Sequence, residues 1–150
     1  MVKAKCRWQK SGLAFTGEAG GFGVALDGNP SETAAQENAN GPTPKQLALI
    51  SIAGCSSMDV ISLLQKHKQP VEDFWIDCET DTTSTHPKVF TGVKLAYHLA
   101  GAIDRNRAIE AVQLSMTKYC GVSAMFAKAV SIDYVVYLNN EKINEAQAKF

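Results

Sequence analysis

Pro42-Thr43-Pro44-Lys45-Gln46-Leu47-Ala48-Leu49-Ile50-Ser51-Ile52-Ala53-Gly54-Cys55-Ser56-Ser57-Met58-Asp59-Val60 is the stretch on which the fold turns. Gly41-Pro42-Thr43-Pro44 at its start and Pro70 beyond its end are helix start and stop signals, so a helix is expected from about Thr43 to Lys68. Leu47, Leu49, Ile50, Ile52, Val60, Ile61, Leu63 and Leu64 spread around most of its circumference, the pattern of a helix buried on nearly all sides. One stripe breaks that pattern. Steps of three and four residues from Cys55 pass through Ala48, Ser51, Asp59, Ser62 and Lys66, so the thiol stands on the one small and polar face of an oily helix. Gly54 costs about 1 kcal/mol against alanine inside a helix and predicts a close approach beside the thiol. A cysteine kept only for packing behaves as a small hydrophobe and belongs among leucines and isoleucines. The stripe therefore leaves a packing and a functional reading of Cys55 open together.

Outward from this helix, Val2, Ala4, Cys6 and Trp8 alternate with Lys3, Lys5, Arg7 and Gln9, the pattern of a strand with one face inward. Lys10-Ser11-Gly12 reads as a turn and Leu13 to Thr16 as the hairpin partner. Gly17-Glu18-Ala19-Gly20-Gly21-Phe22-Gly23 lacks the spacing of a phosphate-binding loop and reads as a turn before a strand at Val24 to Asp27. Residues 28 to 42 read as a long polar loop. On the other side, Val71 to Thr80 and Lys88 to Ala100 read as strands joined by a turn at Asp81 to Pro87, the second with Val89, Thr91, Val93, Leu95, Tyr97 and Leu99 on one face. Asp104 is placed to cap a helix running through Ile109, Val112, Met116 and Tyr119, with Gly121 at its end. A short helical stretch at Ser123 to Lys128, a strand at Val130 to Leu138 and a polar tail from Asn139 complete the chain. Strands and helices alternate without regular βαβ repeats, so the expected class is α+β, with helices packed on antiparallel sheet.

At 150 residues and 45% hydrophobic content the chain is expected to form one domain, residues 1 to 150, around one core. A formal net charge of +0 gives no electrostatic case for nucleic acid or an anionic membrane as partner. No signal-peptide core and no span-length apolar run stand out, so a cytoplasmic protein with reduced thiols is expected. His67, His86 and His98 lack ligand spacing to any cysteine, so neither a metal site nor a cofactor is expected. Cys6 and Cys78 read as core cysteines, Trp8 and Trp75 as packing residues, and Arg105 and Arg107 as solvated. Cys120 falls at the expected end of its helix, where backbone carbonyls disfavour a thiolate. Cys55 lies about three turns inside its own helix with Asp59 one turn on, so a reactive thiolate there calls for a cation. Lys45, Lys3, Lys5, Arg7 and Lys10 are the candidates.

Gly41-Pro42-Thr43-Pro44-Lys45-Gln46-Leu47 leading to Gly54-Cys55-Ser56-Ser57-Met58-Asp59-Val60, with Pro87-Lys88-Val89-Phe90 and Lys118-Tyr119-Cys120 after it, resembles the OsmC/Ohr superfamily of thiol peroxidases over nearly the whole chain. The resemblance implies an OsmC/Ohr-like α+β fold, antiparallel sheets around two central helices, assembled as an intertwined homodimer. It implies that Cys55 is the peroxidatic thiol and Cys120 the resolving thiol of an organic hydroperoxide reductase, recharged by an external dithiol of the lipoyl type or another. In the hydroperoxide-reducing members a glutamate ten residues before the first cysteine acts with an arginine from the N-terminal hairpin. Here Lys45 holds the glutamate position, and Arg7 or Lys10 is the nearest counterpart of the arginine. Gly121 replaces the proline that commonly follows the second cysteine. These departures point to a divergent, YhfA-like branch. They leave a noncatalytic ligand-binding or redox-sensing dimer as the alternative function.

Overall fold

The computed structural model describes residues 1–28 and 40–150, so most of the expected polar loop, residues 29–39, lies outside the described residues. The chain divides into two compact units, Met1–Ala48 and Leu49–Phe150. In the first unit, β1 (Ala4–Trp8), β2 (Ala14–Ala19) and β3 (Phe22–Asp27) form an antiparallel sheet in chain order. The glycine-rich segment is not the broad turn expected. Gly17 pairs with Val24 and Glu18 with Gly23, leaving only Gly20 and Gly21, at φ 58° and 86°, to reverse the chain. Two residues at positive φ match the right-handed twist of a tight hairpin. β1 is exposed on both faces in the single chain, so Cys6 is an exposed thiol rather than a core one, and Trp8 is 53% exposed.

α1 (Pro44–Lys66) starts where expected, and its start is locally determined. Thr43 Oγ1 accepts from the Gln46 backbone N–H at 3.3 Å, and Gln46 Oε1 accepts from the Thr43 N–H at 2.9 Å. This reciprocal box satisfies two otherwise orphaned donors, and Pro44 occupies the first turn, where its missing N–H is no loss. At the far end Lys68 turns left-handed at φ 54°, and the Gln69 N–H reaches back to the Leu64 carbonyl at 2.9 Å. Within Leu49–Phe150 the helix buries one stripe, Ile52, Ser56, Val60 and Leu64, all at 0% exposure, rather than nearly its whole surface. Ile50 and Met58 are 58% and 76% exposed, and a Cβ on Gly54 would meet nothing within 4 Å. The apolar excess read from the sequence thus exceeds what one chain covers. The same excess gives α1 a mean hydropathy of 1.9 over an 18-residue window, enough by length and composition for a membrane span, contrary to expectation. Hydropathy counts exposed and buried residues alike, whereas the inward stripe of α1 is committed to a folded core.

That core forms against a sheet of order β4-β5-β6-β7: β4 (Val71–Glu79), β5 (Val93–Gly101), β6 (Ile132–Leu138) and β7 (Glu141–Gln147). Val93, Leu95, Tyr97 and Leu99 point inward from β5, the alternation read from the sequence, though the strand starts at Val93 rather than Lys88. Ile132, Tyr134 and Val136 join them from β6. Full burial of each large aliphatic side chain stabilises by about 1.5–3 kcal/mol. β4–β5 and β6–β7 are antiparallel, while β5–β6 is parallel, because a helical crossover carries the chain back over the sheet. The tail expected after Asn139 is β7. Asn139 and Asn140, at φ 50° and 67°, supply the same kind of tight turn as the two glycines, and asparagine tolerates that conformation. Asn139 also holds the end of β5, its Oδ1 accepting from the Gly101 N–H and its Nδ2 donating to the Gly101 carbonyl, both at 3.0 Å.

Gly101 itself has φ 132°, and a Cβ there would run into the Pro70 carbonyl oxygen. Gly101→Ala is therefore expected to destabilise the fold by about 1–3 kcal/mol or more. Chemical denaturation with an unchanged midpoint would contradict this.

The crossover holds α2 (Arg105–Leu114), a π-helical turn (Ser115–Tyr119) and α3 (Gly121–Phe126). Asp104 caps α2 as expected, its Oδ1 accepting from the Arg107 N–H at 2.9 Å. Arg105 and Arg107 pair with Glu141 and Glu110 at exposed positions.

Candidate functional site

Cys55 is brought to its place by α1, half-buried beside the inward stripe, with Asp59 one turn further along the same face. Cys120 arrives from the crossover. In the π turn before it, the Cys120 N–H reaches the Ser115 carbonyl at 3.1 Å, five residues back, so one extra residue is accommodated in the helix. The helix does not run on to Gly121 as expected. The backbone opens at Cys120 (φ −70°, ψ 96°), and Gly121 begins α3 instead of ending the preceding helix. Cys120 is thus an N-terminal cap, its Sγ accepting from the Ser123 N–H at 3.3 Å and lying 3.0 Å from Ser123 Oγ.

The Cys55 Sγ, an Asp59 carboxylate oxygen and the Cys120 Sγ all lie within 4.8 Å of one another. The two thiols have unequal surroundings. Cys120 is wholly buried, and its thiol is pushed up to about 11. Burial is the main cause, the hydrogen bonds from Ser123 act in the opposite direction, and the hydrogen bond and charge of Cys55 raise it further. Cys120 therefore stays protonated near neutral pH. The expected cause of that protonation, a helix C-terminus, is replaced in the structure by desolvation.

Asp59 anchors a buried chain of hydroxyls. Ser115 Oγ donates to Asp59 Oδ2 at 3.0 Å, Ser56 Oγ lies 2.8 Å from Ser115 Oγ, and Tyr97 OH lies 2.6 Å from Ser56 Oγ. Each hydroxyl has a single proton to give. Once Ser115 gives its proton to Asp59, Ser56 must donate to Ser115, and Tyr97 to Ser56. Burial holds the Tyr97 phenol far above its usual range, which keeps it a donor. Dipoles aligned toward the carboxylate offset part of its negative charge beside the thiols. Sequence reasoning did not single out Ser56, Ser115, Ser123 or Tyr97. A signal was there for Ser56: at four-residue spacing it shares the stripe of Ile52, Val60 and Leu64, where a hydroxyl needs a partner.

Tyr97→Phe removes the terminal donor and leaves a buried serine hydroxyl short of one bond, an expected loss of about 1–3 kcal/mol. Thermal unfolding within experimental error of the wild type would show that the chain carries no stability.

Lys45, in the first turn of α1, and Arg7, on β1, are both exposed and belong to the N-terminal unit, as do Lys3, Lys5 and Lys10. Within Leu49–Phe150 no hydrogen bond or ion pair brings a lysine or arginine to Cys55, Asp59 or Cys120. Cys78, on β4, is half-buried against the core, its thiol raised to about 11 by burial and by Glu79. Trp75 is 44% exposed and stacks on His98, with ring centroids 4.7 Å apart.

The family model described as OsmC-like protein matches residues 36–135, which takes in both thiols, Asp59 and the hydroxyl chain. The chain belongs to the OsmC-like protein family. Protein YhfA of Escherichia coli K12 is 37% identical over 139 residues, covering 89% of this chain and 95% of that protein. The OsmC-like protein of Mycoplasma pneumoniae superposes with a TM-score of 0.77 at 13% identity, covering 92% of this chain and 96% of the other. The organic hydroperoxide resistance protein OhrB of Bacillus subtilis does so at 0.64 and 18% identity, covering 91% and 98%. At those identities the two structures establish the OsmC/Ohr fold of this chain, the class expected from its sequence.

Proposed function

We propose that this OsmC-like chain is a thiol-dependent peroxidase for organic hydroperoxides. The observation that carries the reading is the juxtaposition of a half-exposed Cys55 thiol and a buried, protonated Cys120 thiol within 4.8 Å. The Cys55 thiolate attacks the terminal oxygen of the hydroperoxide, the O–O bond breaks, and the alkoxide leaves with a proton as the alcohol. Cys55 is then a sulfenic acid. The Cys120 sulfur displaces its hydroxyl, a disulfide forms, and water departs with the Cys120 proton. An external dithiol of the lipoyl type reduces the disulfide by exchange and is itself oxidised to a disulfide. Asp59, beside both sulfurs, is the nearest base to carry that proton from Cys120 to the departing hydroxide.

The apolar residues that α1 leaves exposed, Ile50 and Met58, and the open space over Gly54 support an intertwined homodimer in which a second copy covers this helix. The activating cation, with Lys45 and Arg7 as candidates, is assigned to that assembled state. Within Leu49–Phe150 no cation is bonded to the cluster, which favours one other reading, a dimer that senses oxidants without turning over.

Reduced protein mixed with an alkyl hydroperoxide is expected to lose two titratable thiols per chain while one equivalent of alcohol appears. An unchanged thiol count would overturn both readings. Loss of thiols without sustained turnover, when lipoyl dithiol is compared with glutathione and an alkyl hydroperoxide with hydrogen peroxide, would leave the sensor.

A further inference from the structure

We propose that the reduced Cys55 and Cys120 thiols, with the Asp59 carboxylate, form a binding site for a thiophilic divalent cation of the zinc class. Three donor atoms from two elements, within 4.8 Å of one another, are nearly the arrangement such an ion takes. Zinc bonds of about 2.3 Å to sulfur and 2.0–2.2 Å to oxygen place tetrahedral ligand atoms about 3.5–3.8 Å apart, so closure by about 1 Å is enough. Two soft sulfurs and one carboxylate suit zinc better than magnesium or calcium, which take oxygen ligands. No histidine is required, which is why a search of the sequence for histidine and cysteine spacing misses the site.

The groups around the donors are already arranged as an outer shell. Ser115 Oγ donates to Asp59 Oδ2 at 3.0 Å and fixes that carboxylate. The Ser123 N–H donates to Cys120 Sγ at 3.3 Å, with Ser123 Oγ 3.0 Å away, the kind of bonding that stabilises a coordinated thiolate. Cys55 is half-exposed, which gives the ion a way in and leaves the fourth position to water. Binding replaces both thiol protons, so two thiols, one carboxylate and one Zn²⁺ become one bound complex and two released protons. With both sulfurs held by metal, neither attack on peroxide nor disulfide formation can proceed. That regulatory consequence rests on the peroxidase reading; the binding itself does not.

The test is titration of the full-length reduced chain with Zn²⁺ against a chromophoric chelator, in weakly buffered solution so that proton release is read in parallel. One zinc per chain and about two protons are expected. Cys55→Ser and Cys120→Ser should each abolish stoichiometric binding, Asp59→Asn should weaken it at least tenfold, and Ser115→Ala should weaken it about 10- to 100-fold. A Cys6→Ser/Cys78→Ser double variant should bind as the wild type does. The disulfide form should not bind. Failure of the reduced wild type to take up zinc, or retention of binding in both single cysteine variants, would overturn the site. Because no peroxide enters this titration, its failure leaves the peroxidase reading standing, and inactivity toward peroxide leaves the metal site standing.

Discussion

Cys55→Ser is expected to reduce peroxide consumption to the rate of buffer, a loss on the order of a thousandfold or more. A serine hydroxyl is almost wholly un-ionised near neutral pH and is a poor nucleophile toward the O–O bond, so no slower version of the same step remains. The change is also one the fold accommodates. Cys55 is half-buried, next to Ser56 and Ser57 on the same helix, so the variant should fold with its hydroxyl in a partly polar setting. Peroxide loss followed with an alkyl hydroperoxide and a lipoyl dithiol gives the comparison. Equal consumption with and without Cys55 would sink the enzymatic reading, and a wild-type melting curve for the variant would exclude misfolding as the cause.

Cys120→Ser is expected to separate the two halves of the cycle. Cys55 still meets peroxide, so one equivalent is consumed rapidly per chain. The sulfenic acid then has no partner thiol, and steady-state turnover with a dithiol reductant should fall by about a hundredfold or more while the burst persists. A sulfenic-acid trap should label the variant after peroxide and the wild type hardly at all. If turnover continued at the wild-type rate, the proximity of the two sulfurs would be a packing feature and Cys120 no part of the reaction. Serine at this position keeps a capping oxygen for the Ser123 N–H, so little of the effect should come from lost stability.

Much of this was legible in the sequence because it is local. The start of α1 follows from Thr43, Pro44 and Gln46, which are neighbours in the chain, and the inward face of β5 follows from strict alternation. The polar stripe of Cys55 and Asp59 was legible for the same reason. What was missed depends on distant pairing. The turn at Asn139 and Asn140 marks a hairpin only once β7 is known to pair with β6, and a polar β7 has no hydrophobic alternation of its own. The parallel β5–β6 pair is a property of the crossover rather than of either strand. The hydroxyl chain joins residues 41 and 59 positions apart, so no window on the sequence contains it. Helix burial was overread because apolar periodicity reports which residues avoid water, without saying whether the same chain or another one shelters them.

The π turn at Ser115–Tyr119 sets a rule about chain length. The turn already holds one residue more than an α-helical turn, so deleting one residue there and restoring ordinary winding would leave Cys120 facing nearly the same way, whereas a further residue inserted there would swing everything beyond it by about 100°. After such an insertion Cys120 would turn away from Cys55 although every side chain named above was still present. A single-residue insertion between Ser115 and Cys120 would therefore act like the loss of the second cysteine.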